Sequence, residues 1–175
     1  LALTNLSQLL QCQMVDVQLP IKQRLSQLEA IVALNSFGSL LWPGIDSANI
    51  SIPVLLTGGT SDLITPAITE QLGLLLATGS NLLSRVLLIE GASHFSPIRV
   101  QGQVEKASGE DLFHLGEAFV GVQPLYVQDL LGKHIIRFLE NYEIDKASEL
   151  LLNQEKNNLN FHLLDRSTVE ILLNN

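Results

Sequence analysis

A single cysteine, Cys12, occurs among 175 residues, which excludes an internal disulfide framework and a cysteine-based zinc site. Basic side chains are also scarce: 10 Lys and Arg stand against 18 Asp and Glu, a net charge of −8 with a pI near 4.8. Such a surface repels phosphates and anionic headgroups, which argues against nucleic acid and polybasic membrane binding. No H-E-x-x-H, P-loop or G-x-G-x-x-G occurs, so metal and nucleotide chemistry lack a motif. The apolar runs Val54–Thr57 and Val86–Ile89 fall far short of the ~20 residues that span a bilayer. No basic segment followed by an apolar one opens the chain, so no secretion signal is expected and the compartment is left open.

What is present is apolar: 46% hydrophobic and 16% charged residues, with a mean hydropathy of +0.28. That is too apolar for disorder. The length suits one domain of roughly 100–200 residues, and no repeat or linker divides residues 1–175. The chain opens on Leu1 instead of Met, so coding sequence is expected before it.

Leu3, Leu6, Leu9 and Leu10 stand at helical spacing, predicting a short amphipathic helix, and Cys12 on or after it reads as a small buried hydrophobe. A second helical piece, Ile21–Leu28, precedes three short apolar runs, Ala30–Leu34, Ile52–Thr57 and Arg85–Glu90. Runs apolar at every position belong to sheets covered on both faces, usually parallel ones. Thr65-Pro66 predicts a helix start, with Ile68, Leu72, Leu75 and Leu76 as its buried stripe and Gly79 just past its end. Strand, helix and strand over 52–90 make a right-handed βαβ unit. Residues 99–121 read as a loop. Pro124 opens a long helix with Val127, Leu130, Leu131, Ile135, Phe138 and Leu139 on one side, and a further helix is expected from Asp145. Ser167-Thr-Val-Glu170 reads as a capping box. The fold class expected is α/β.

Asp62 and His94 each lie just past the C-terminal end of a predicted strand, where open α/β sheets bind ligands. Consecutive parallel strands are usually neighbours, which brings the two loops together. A carboxylate beside an imidazole fixes its tautomer and stabilises imidazolium. The plainer alternative is that Asp62 caps the next helix and His94 bonds a backbone carbonyl. Gly58, Gly59 and Gly91 relax the backbone ahead of the two residues.

The wording of these segments adds to position. The stretch from Ile52 to Pro66 (IPVLLTGGTSDLITP) closely resembles the seventh-strand segment of α/β-hydrolases, which carries the triad acid in a form like P-V-L-x-x-G-x-x-D-x-x-x-P. The stretch Val86–Ser96 (VLLIEGASHFS) resembles their eighth strand and catalytic-histidine loop. The flanking pattern looks most like the bacterial dienelactone-hydrolase and platelet-activating-factor-acetylhydrolase branch, and AIVALNSFGSLLWPG resembles that branch's sixth strand and pocket loop. The resemblance covers roughly residues 28–142. It implies a partial α/β-hydrolase fold, its C-terminal half. It also implies a serine-type carboxylic-ester hydrolase, esterase- or lipase-like, with short-acyl phospholipids as one substrate class. Asp62 would orient His94, and His94 would act as base and then acid. Asn35, Ser36, Trp42 and Phe95 would line the pocket. No metal or cofactor is implied.

One element departs from that family. Its triad runs Ser, then acid, then His, with Ser on a G-x-S-x-G elbow, and no such motif occurs in the 175 residues. The nearest approach, Leu34-Asn35-Ser36-Phe37-Gly38, has a bulky Leu34 where the elbow needs a small residue and lies only one strand before Asp62. The oxyanion loop is missing as well. The chain is therefore expected to supply acid and base but to be inactive alone. The competing expectation is a non-catalytic, truncated hydrolase or a half-domain that needs a partner. An open sheet edge near Ala30–Leu34 and an uncovered apolar face would then favour homo-oligomers or aggregation. His114, His134 and His162 lack ligand-spaced partners; His134 reads as core, and the acidic residues from Glu140 to Glu149 as a solvated helix face.

Overall fold

The computed structural model describes residues 6–14, 27–38, 50–77, 81–97, 124–141 and 159–174. The elements are α1 (Leu6–Met14), β1 (Ile31–Leu34), β2 (Val54–Gly59), a π-helical turn (Ile68–Leu72) running into α2 (Gly73–Ala77), β3 (Arg85–Ile89), α3 (Pro124–Asn141), β4 (Phe161–Leu164) and α4 (Arg166–Asn174). They build an α/β unit around one four-stranded sheet of order β1-β2-β3-β4. The first three strands are parallel, with Leu34 opposite Thr57 and Gly59 opposite Ile89.

The apolar runs form strands because both faces of β2 and β3 are covered. On one face Leu55, Leu87 and Ile89 pack with Val127, Leu130, Leu131 and Phe138 of α3 and with Phe161. On the other, Val54, Leu56 and Val86 pack with Leu72, Leu74, Leu75 and Val169 of α4. At roughly 1.5–3 kcal/mol per buried large aliphatic or aromatic side chain, these two layers dominate the stabilisation. β1 is less protected: Ile31, Val32 and Ala33 are half-buried and Leu34 is exposed.

Several expectations are corrected. β4 falls in a stretch assigned to no element, and runs antiparallel to β3 with Phe161 opposite Ile89. The turn after Pro66 is π-helical, and Ile68 is exposed instead of heading a buried stripe; Leu72 and Leu75 are buried and Leu76 half-buried. Among the residues of α1 whose burial is described, Ser7 and Gln11 are buried, while Leu9, Leu10 and Cys12 are exposed. The reason is polar: Gln11 Nε2 donates to Ser7 Oγ at 3.0 Å and to the Glu70 carboxylate at 3.1 and 3.2 Å, so the helix docks by its amide. Leu139 of α3 is exposed instead of buried, while His134 is in the core as expected, its ring edge-on to Phe161 at 4.9 Å. The expected helices at 21–28 and from Asp145, Gly79, His114 and residues 99–121 lie wholly or mainly outside the described residues.

The cap of α4 is Asp165, not Ser167. Its Oδ1 accepts from Thr168 N–H at 2.8 Å, from Thr168 Oγ1 at 2.7 Å and from Ser167 Oγ at 2.8 Å. The Thr168 backbone bond is the largest cause that holds this carboxyl at about 2, below its ordinary 3.8. Replacing Asp165 by Ala should cost about 1 kcal/mol at neutral pH. A depressed folded-state value means stability that is complete above pH 3.8 and lost as pH falls toward 2. The difference between Asp165→Ala and the parent in urea melts should therefore vanish across that window.

Candidate active site

The site lies at the C-terminal ends of the three parallel strands, where three loops meet. The loop after β2 turns at once, with Asp62 N–H donating to Gly59 O at 3.2 Å. The loop after β3 reverses at Gly91, whose φ of 73° favours glycine. The two loops are stitched by Ser61 N–H to Ala92 O at 3.0 Å, Thr60 N–H to Ile89 O at 3.1 Å and Gly91 N–H to Thr60 Oγ1 at 2.9 Å. Gly58 and Gly59 serve by their size, not by unusual dihedrals. A Cβ on Gly59 would overlap the Ala92 carbonyl, and one on Gly58 would press on the Gln71 side chain at 3.1 Å.

That close approach brings together the two residues singled out from sequence. His94 Nδ1 is 3.0 Å from Asp62 Oδ2. The Asp62 side chain is fully buried, and the His94 side chain is 27% exposed, so the pair has a buried and a solvent-facing end. The capping alternative is also present, on the other oxygen: Asp62 Oδ1 accepts from Ile64 N–H at 2.9 Å and Thr65 N–H at 2.8 Å. One carboxylate performs both tasks, and the backbone bonds fix the orientation in which Oδ2 meets the imidazole. Among the described residues no group hydrogen-bonds His94 Nε2.

The remaining expected residues divide. Asn35, buried at the end of β1, adopts φ 46°, a left-handed conformation that Asn tolerates better than most side chains. Its Nδ2 donates to His94 O at 2.8 Å, so the amide holds the histidine loop. Phe95 sets its ring edge-on to the imidazole, with centroids 5.5 Å apart. Ser36 has no bond to His94; its Oγ is buried and without a hydrogen-bond partner. Trp42 lies outside the described residues.

Sequence reasoning missed three polar side chains here. The Thr65 hydroxyl, buried, is 2.9 Å from Asp62 Oδ2, 3.0 Å from His94 Nδ1 and 3.2 Å from Asn35 O. Glu70 and Gln71, also buried, clamp the Asn35–Gly38 loop: Gly38 N–H donates to Glu70 Oε2 at 3.0 Å, and Gln71 Nε2 donates to Ser36 O at 2.8 Å. The π-helical turn is what delivers these two consecutive side chains inward. π-turns recur at functional sites.

A second carboxylate–imidazole pair lies apart from the first. His162 Nε2 is 2.7 Å from Glu90 Oε1, and Asn160 Nδ2 donates to Glu90 Oε2 at 2.9 Å. The Asn160 amide, then His162, holds the Glu90 carboxyl below its ordinary range. The pair is half-exposed and fastens β4 to the end of β3. Among the described residues no three His, Cys, Asp or Glu side chains cluster as a metal site, and no helix is long and apolar enough to cross a membrane. In comparisons with known proteins, no protein-family model and no curated protein matches the chain.

Proposed function

We propose that this chain supplies the acid and the base of a serine-type carboxylic-ester hydrolase of the α/β-hydrolase kind, acting on esterase- or lipase-like substrates that include short-acyl phospholipids. The observation that carries the reading is the 3.0 Å approach of Asp62 Oδ2 to His94 Nδ1 at the C-terminal ends of adjacent parallel strands. In the reaction, His94 Nε2 takes the proton of the attacking serine hydroxyl as the serine Oγ bonds the ester carbonyl carbon. Asp62 stabilises the resulting imidazolium, which returns the proton to the departing alcohol as the C–O bond breaks. Water, deprotonated by the same nitrogen, then cleaves the acyl-enzyme. The reading needs a nucleophile from outside the 175 residues, which hold no G-x-S-x-G.

The test compares the chain alone with the product of the contiguous reading frame that includes residues upstream of Leu1. The expected result is an upstream nucleophile elbow, fluorophosphonate labelling of its serine, and hydrolysis of short-chain nitrophenyl esters by the longer protein only. Burst-phase acylation by the 175 residues alone, or a reading frame without any nucleophile, overturns it.

A further inference from the structure

We infer that Thr65 is a positioning residue that sets the tautomer of His94, an inference that rests on the Asp62–His94 reading above. Threonine has one hydroxyl proton and two lone pairs. Its Oγ1 stands within hydrogen-bond distance of three groups: Asp62 Oδ2 at 2.9 Å, His94 Nδ1 at 3.0 Å and Asn35 O at 3.2 Å. Of these, the carboxylate oxygen and the backbone carbonyl can only accept. The hydroxyl proton therefore goes to one of them, and a lone pair is left facing His94 Nδ1. If the proton were instead given to Nδ1, Oγ1 would confront two acceptor oxygens with no hydrogen between them. Asp62 Oδ2 would likewise face a bare nitrogen at 3.0 Å. Both contacts are repulsive in a buried setting, where an unmet polar group is costly.

The consequence is that two acceptors, not one, converge on Nδ1, and both favour the form with a proton there. Nε2 is then the bare nitrogen, the one with no protein partner among the described residues and the one that must act as base. Thr65 also joins the three loops at this point. Its own N–H bonds Asp62 Oδ1, its hydroxyl reaches the carbonyl of strained Asn35, and Asn35 returns a bond to His94 O. The ring is fixed in orientation as well as in protonation.

The experiment is long-range ¹H–¹⁵N NMR of the His94 ring, followed upward in pH until its ring shifts stop changing and the imidazole is neutral. The parent should show protonated Nδ1 and bare Nε2. Thr65→Val, close in shape, should shift the tautomer ratio toward Nε2–H by roughly tenfold, the equivalent of one ordinary net hydrogen bond. Thr65→Ser, which keeps the hydroxyl, should restore the parent ratio. Thr65→Ala takes the place of the valine variant if that chain does not fold. In an active longer protein, Thr65→Val should lower kcat with KM unchanged. Parent-like tautomers in the hydroxyl-free variants, or failure of Thr65→Ser to restore the ratio, overturn the inference. The ring spectrum reads out without turnover, so an absence of esterase activity would count against the hydrolase reading alone.

Discussion

In the proposed longer esterase, His94→Ala is expected to lower kcat by about 10⁶-fold, the scale seen when a triad base is removed. At 1.36 kcal/mol per factor of ten that is about 8 kcal/mol of transition-state stabilisation. The size follows from geometry, because no other described side chain is placed to substitute: His162 is bound to Glu90 and fastens β4 to the end of β3, and His134 is packed against Phe161. The fold should survive the change. The His94 side chain is 27% exposed, and Asp62 keeps its bonds from Ile64 N–H, Thr65 N–H and Thr65 Oγ1. A circular-dichroism spectrum and a urea midpoint close to those of the parent should accompany the loss. Asp62→Asn should cost less, about 10⁴-fold, since it spoils the tautomer but leaves the ring in place. An equal loss in both variants, or none in His94→Ala, would count against the assigned roles.

The second large effect concerns packing. Gly59→Ala is expected to destabilise the chain by about 3 kcal/mol or more, at the upper end for overpacked sites. The added methyl meets the Ala92 carbonyl, part of a backbone that cannot rotate away as a side chain can. The same carbonyl accepts from Ser61 N–H, so relieving the clash parts the loops that carry Asp62 and His94. Gly58→Ala is the internal control. The nearest atoms to its methyl belong to the Gln71 side chain, at 3.1 Å. Moving that side chain strains its bond to Ser36 O without parting the Asp62 and His94 loops, so the cost should be lower, about 1 kcal/mol. Urea unfolding of the two variants side by side measures the contrast. Equal midpoints would mean that the loops yield more readily than this packing implies.

How much of this was legible in the residues depended on whether the signal was local. The strands at 54–59 and 85–89 were, because burial on both faces imposes an unbroken apolar run, and the run at 31–34 carries the same signal although β1 is only half-buried. Asp62 and His94 were, because strand ends are where such a sheet exposes its loops. Thr65 was not: a threonine before a proline reads as the start of a helix, and only the meeting of three loops shows its hydroxyl beside the imidazole. Gln11 and Glu70 escaped for the same reason. Hydrophobic spacing placed Leu9 and Leu10 inward, whereas a buried amide–carboxylate contact 59 positions apart puts Gln11 there and leaves those two leucines exposed. The run Phe161–Leu164 is too short to signal a strand by itself, and its partner is remote. At Asp165 two cap patterns overlap within three residues, and the carboxylate, with more bonds to the first turn, prevails.

The remoteness of β4 has a consequence for the order of folding. Its pairing with β3 closes a loop of about 70 residues, with Asn160 and His162 reaching back to Glu90. Contacts that distant in sequence form late, after the entropy of closure has been met. A growing chain can therefore assemble β1, β2, β3 and the two loops that carry Asp62 and His94 early, before residues 161–164 arrive to cover the second edge of β3. A chain interrupted before β4 would keep the contacts of His94 with Asp62, Thr65 and Asn35 but leave the second edge of β3 and the Glu90 carboxylate uncovered.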